Sequence, residues 1–125
     1  MKYVLMFTSR PELDAAVEPE RAKAIYGQVY EWFREHGEAG RIVDGGAELH
    51  PVTTATTVRT GDGGDVVVVD GPFSESKEVV GGFCIVDVPD LDAAIAMTRG
   101  WPSLGLPGVA VEIRPMVVDY SQFEE

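Results

Sequence analysis

Asp70 and Glu78 bracket a short polar segment, Asp70-Gly71-Pro72-Phe73-Ser74-Glu75-Ser76-Lys77-Glu78, between two apolar runs, Val66 to Val69 and Phe83 to Val88. Two carboxylates carried by a preorganised loop into one cleft can do acid/base chemistry. Burial and mutual repulsion raise the pKa of one of them toward the range where it exchanges a proton at neutral pH. Asp70 and Glu78 are therefore the candidate catalytic pair, and Lys77 is a candidate substrate-binding cation beside them. Arg10, which follows the first apolar run, and Arg59 could each hold a carboxylate substrate if they face a cleft. A structural reading accounts for the same loop. The Asp70 carboxylate can accept from N–H groups two or three residues on, Gly71 before Pro72 is pushed to an extended or positive-φ conformation, and Pro72 fixes its own φ. Phe73 then serves as an apolar anchor and Ser74 as the cap of a short helical turn.

Other chemistries are poorly supplied. Cys84 is the single cysteine, so no internal disulfide and no cysteine-based metal cluster can form within one chain. It lies in an apolar run with no nearby cation, the setting of a small buried hydrophobe rather than a reactive thiol. The two histidines, His36 and His50, fall on different elements without metal-ligand spacing, and both read as surface or boundary residues. Gly61-Asp62-Gly63-Gly64-Asp65 lacks the alternating ligands and final Glu of a calcium loop and reads as a hairpin turn. Gly45-Gly46 is not followed by a helix opening with Lys-Ser/Thr and is no phosphate cradle. No metal and no cofactor are expected. Asp and Glu outnumber Lys and Arg by 21 to 10, a formal charge of −11 that repels nucleic acid and anionic lipid, so no direct nucleic-acid or membrane partner is expected. No stretch approaches the roughly 20 apolar residues of a membrane span, and Met1 to Phe7 is too short for the apolar region of a signal peptide, which points to a cytoplasmic protein.

The chain has 125 residues, 45% of them hydrophobic, enough for one core: a single domain over 1–118 with a polar tail over 119–125. Lys2 to Thr8 reads as a strand. Pro19 and Glu20 suit the first turn of a helix, and Ala22, Ile25, Tyr26, Val29, Trp32/Phe33 and His36 recur at helical spacing, with Gly37 and Gly40 as candidate stops. The aromatics of that stripe, Tyr26, Tyr30, Trp32 and Phe33, read as core and dimer contacts. Arg41-Ile42-Val43 begins a strand that Gly45-Gly46 interrupts, the mark of a bulge or a close backbone approach. Thr54 to Thr60 and Val66 to Val69 form an inserted β-hairpin. Val79 to Val88 is a strand, Asp90 caps a helix whose buried face is Leu91, Ala94, Ile95 and Thr98, and Gly100 ends it. Trp101 to Gly108 is a loop, and Val109 to Val118 is the closing strand. The order predicts an α+β fold, a ferredoxin-like split βαβ arrangement with two helices on one face of an antiparallel sheet. Val66 to Val69 is apolar at four successive positions, more than a strand with one wet face needs, so a partner subunit's sheet is the natural cover. The expected assembly is a homodimer forming an α+β barrel.

Asp70-Gly71-Pro72-Phe73, followed by Glu75, Lys77-Glu78 and Gly81-Gly82-Phe83, then Asp87, Leu91-Asp92 and Ala94-Ile95, closely resembles the DGPF-type YCII-related proteins. Lys2-Tyr3-Val4-Leu5, Gly45-Gly46 with Leu49 and Pro51, Ala55 to Arg59 and Val111 to Pro115 agree, so the similarity runs through nearly the whole chain. The resemblance implies a dimeric α+β barrel with Asp70, Gly71, Pro72, Phe73 and Gly82 as its structural motif, and it implies no particular reaction. The YCII branch is thought to pair a His on the first helix with an Asp. Here that helix carries Val29 or Tyr30 near the matching point and His36 about two turns later, so only the loop residues carry over. The function expected is binding of a small molecule in a cleft beside Asp70 to Phe73, with acid/base chemistry available there. The alternative is a non-catalytic interaction protein, linked to extracytoplasmic-function sigma factors as some relatives are by gene neighbourhood.

Overall fold

The computed structural model describes residues 1–72 and 77–121. The anchor and cap expected of Phe73 and Ser74 and the last four residues of the tail lie outside the described residues.

β1 (Lys2–Ser9) alternates, burying Tyr3 and Leu5 on one face while Val4 and Met6 lie half-buried on the other. A four-residue helix, α1 (Pro11–Asp14), follows where the sequence reads as a loop. Residue 10's carbonyl accepts from the amides of Leu13 and Asp14, closing that single turn. α2 (Pro19–Glu38) starts on the proline and runs through Gly37. The stop is Gly40, at φ 76°, a conformation open to residues without a Cβ. β2 (Ile42–Glu48) leads through a single 3-10 turn (Val52–Thr54) to a hairpin of β3 (Thr56–Thr60) and β4 (Val66–Asp70). β5 (Val79–Asp87), α3 (Leu91–Arg99) and β6 (Ala110–Pro115) complete the chain. The last strand is shorter than its apolar run suggests.

The main sheet has the order β2-β5-β1-β6, wholly antiparallel, and β3 and β4 form a separate two-stranded sheet. This is the ferredoxin-like α+β arrangement that the sequence predicts. Tyr3 pairs with Val86 and Leu5 with Cys84, which puts these four residues on one face; Val88, Ala94 and Met97 join them in the buried core. Fully burying a Val or Leu side chain stabilises by about 1.5 to 3 kcal/mol, so Leu5 and Val86, both sealed from solvent, are main contributors. Cys84 sits with them, and burial, with Asp44 adding, pushes its thiol up to about 12. It is chemically quiet filler, as its apolar run suggests.

Two local readings change, and Trp101 gains a core role the loop reading did not give it. On α3, Asp90 caps as expected, its carboxylate accepting from the Ala93 amide at 2.9 Å, but the buried residues are Ala94, Met97 and Thr98 while Leu91 is exposed. Trp101 opens the expected loop but is buried, stacked on Phe7 with ring centroids 3.9 Å apart, and met edge-on by Trp32 at 5.0 Å. His36 is not a boundary residue. It is buried against the Trp32 ring, with Arg41 donating to its Nδ1 at 3.0 Å. A guanidinium can only donate, so this bond requires a neutral imidazole with Nδ1 unprotonated.

Burial, with the Arg41 charge next, holds the His36 pKa below its ordinary value of 6.5. The unfolded chain therefore takes up this proton first as pH falls. The stability His36 supports is complete above about pH 6.5 and drains away below it, toward the lower folded-state pKa. Melting curves at pH 7.5 and 5.5 should show a larger loss for the native protein than for His36→Gln, which keeps an acceptor for Arg41 without titrating.

Candidate functional site

A cavity of about 700 Å³ opens between α2 and the sheet. Its floor exists because two glycine pairs withhold side chains there. Gly45 and Gly46 on β2 and Gly81 and Gly82 on β5 all line it. Gly46 has φ 67°, and a Cβ built on it would stand 1.8 Å from the Phe83 carbonyl oxygen. Gly82 is also close-packed, though less so, since a Cβ there would meet the Ala47 carbonyl at 2.8 Å. The β2–β5 register shifts between Asp44 and Ala47, and the Asp44 carboxylate accepts from the Gly46 amide at 2.7 Å. Both features expected of Gly45-Gly46, a bulge and a close approach, are present.

The roof is the α2 stripe Ile25, Tyr26, Val29, Tyr30 and Phe33, whose spacing keeps all five on adjoining sides of the helix. Tyr26 and Tyr30 are 61% and 71% exposed, so they stand at the mouth rather than in the core. Phe7 and Trp101 form the inner wall. Against this apolar surface lie two hydroxyl–carboxylate pairs. Ser9 Oγ donates to Asp14 at 2.7 Å, and the Tyr26 hydroxyl donates to Glu48. The hydrogen bond to Glu48 and its charge raise the Tyr26 pKa, which keeps the phenol protonated as a donor.

The predicted site residues divide into two groups. Val79 pairs with Ser9, so Lys77 and Glu78 lead into β5 beside the cavity's Ser9 edge, and Arg10 follows Ser9 in the chain. Arg10 forms an ion pair with Glu12 at 2.7 Å. The Glu12 carboxyl is held below its usual range chiefly by its own backbone N–H, with Arg10 and more weakly Lys77 adding. Arg10 thus has an anionic partner, while Lys77 and Glu78 are exposed and adjacent in the chain. Asp70 and Arg59 belong instead to the hairpin. Asp70 ends β4 opposite Thr56, and the exposed Arg59 donates to the Thr60 carbonyl at 3.3 Å. None of these five predicted residues is among the described residues that line the cavity. Gly71 adopts φ 103°, the positive value allowed to it in the sequence reading, and is clasped to β3. Its amide donates to the Ala55 carbonyl and its carbonyl accepts from Thr57 Oγ1, both at 2.7 Å.

The sequence reading missed the cavity itself. Its signal was there in two glycine pairs on separate strands, but only pairing β2 with β5 superimposes them. Among the described residues no group of three His, Cys, Asp or Glu is disposed to hold a metal, and no helix is long and apolar enough to cross a membrane.

Comparison with known proteins gives a consistent result. A family model, the YCII-related domain, matches residues 1–117. An uncharacterized protein of Rhizobium meliloti (strain 1021) is 33% identical over 101 residues, which cover 81% of this chain and 77% of the relative. With the antiparallel β2-β5-β1-β6 sheet and the matching of nearly its entire length, the chain belongs to the YCII-related family.

Proposed function

We propose that this protein binds a small molecule in the cavity between α2 and the glycine floor. The observation that carries the reading is the cavity's make-up: a concave space of about 700 Å³ with apolar and aromatic walls and a few converging polar groups, which is the usual composition of a ligand site. Arg10 follows the lining residue Ser9, and Lys77 and Glu78 precede its β5 partner Val79, though none of the three lines the cavity. In a catalytic version Glu78, one residue before Val79 at the Ser9 edge, would supply the carboxylate. The Asp70-Gly71-Pro72-Phe73 stretch supports grouping the chain with the DGPF-type members. Ile25 is a half-buried lining residue outside the core cluster. Ile25→Trp should fill the cavity and abolish ligand-induced thermal stabilisation across a small-molecule library while leaving the melting temperature of the free protein within a few degrees. Undiminished stabilisation in the variant would refute the site.

A second reading, a homodimer, is favoured by a specific surface. Val58, Val66 and Val68 share one face of the hairpin and are 63%, 73% and 68% exposed. On the main sheet the face away from the helices carries half-buried Val4, Met6 and Ile85. An apolar surface of this kind fits an interface between copies, and a stable one buries on the order of 2,000 Å². The exposed member of the Val67/Val68 pair is Val68. Light scattering at micromolar concentration should report a dimer, and Val68→Lys should give monomer or aggregate, because a buried unpaired charge costs several kcal/mol.

A further inference from the structure

Resting on that reading of the cavity, we infer that its ligand is a cation: an amine, protonated or quaternary, carried on an apolar or aromatic body. Among the described residues that line the cavity, the ionisable side chains with charge at neutral pH are Asp14 and Glu48, both acids, and no Lys, Arg or His lines it. Each carboxylate accepts one described hydroxyl hydrogen bond, from Ser9 and Tyr26 respectively. A carboxylate offers about four lone-pair sites, so each retains capacity for a further donor. The Tyr26 ring is tied to Glu48 by that hydrogen bond, Tyr30 lines the same cavity, and aromatic faces attract cations through their quadrupole. Arg10, next to the lining residue Ser9 in the chain, is held in an ion pair with Glu12. The whole chain's charge of −11 adds a long-range bias of the same sign. An anionic ligand would enter against all of these. An ammonium group would sit at Glu48 beside Tyr26, its apolar body lying over the glycine floor toward Phe7 and Phe33.

Three probes of one shape separate charge from fit: 2-phenylethylammonium, 2-phenylethanol and 3-phenylpropionate, titrated calorimetrically against the full chain at low salt. The amine should bind about tenfold or more tighter than the carboxylate and lose that advantage in high salt. Glu48→Gln keeps an acceptor for Tyr26 but removes the charge; it should weaken the amine by about tenfold and change the alcohol by less than about twofold. Carboxylate binding equal to or tighter than amine binding, or an amine affinity untouched by Glu48→Gln in a variant of unchanged melting temperature, would overturn the inference. If the alcohol binds and Ile25→Trp blocks it while the amine shows no preference, the ligand's charge is wrong and the site stands. If no probe binds at millimolar concentration, the cavity reading and the inference fall together.

Discussion

Gly46→Ala should lower the stability of the fold by about 3 to 5 kcal/mol, combining a left-handed backbone forced on a residue with a Cβ and the displacement of a paired strand. The new methyl would need to occupy a point 1.8 Å from the Phe83 carbonyl oxygen, and since that neighbour is backbone, the β2–β5 pairing must open to admit it. The control lies one residue away. A Cβ at Gly45 meets nothing within 4 Å and Gly45 has no positive φ, so Gly45→Ala should fall within about 1 kcal/mol of the native protein, on either side. Urea unfolding followed by circular dichroism measures both. Similar midpoints for the two alanine variants would show that β2 does not approach β5 as closely as described.

Trp101→Ala should cost a comparable 3 to 5 kcal/mol. Its indole stacks on Phe7, meets Trp32 and Phe33 edge-on, and forms the inner wall of the cavity. Removing it joins a void in the core to the ligand space. The variant should therefore unfold at lower denaturant and also lose preference among ligands of different length. A loss below about 1 kcal/mol would mean that the loop carrying Trp101 does not pack on the sheet.

That residue illustrates where the sequence is legible. The α2 stripe and the Asp90 cap are local patterns, fixed by helical spacing and by hydrogen bonds spanning three residues, and both can be read directly. Strand alternation in β1 and β5 identifies the buried face for the same reason. Trp101 lies one residue beyond Gly100, outside any period, and is buried only because the chain folds that turn back against Phe7. His36 likewise reads as a boundary residue from its type and is buried because the Trp32 ring and the Arg41 side chain enclose it. At the candidate site the limit is sharper. Asp70 and Glu78 look like a pair in one dimension, yet the first ends a hairpin strand and the second precedes a strand of the main sheet. Asp14 and Glu48 sit far apart in sequence on elements that only the folded sheet and helix bring to one cavity.

The sheet order also sets a schedule for synthesis. β1 lies between β5 and β6 and takes both its partners from the later part of the chain, Ser9 pairing with Val79 and Thr8 with Ala110. At ribosomal rates of about 5 to 20 residues per second, the first strand waits roughly 4 to 15 seconds for β5 to be made, and longer for β6. During that interval Tyr3, Leu5 and Phe7 have no sheet to join, while α2 can already form from local hydrogen bonds. The nascent chain is thus a helix trailing an unpaired apolar strand, and the N-terminal residues are where a holding chaperone would find its purchase.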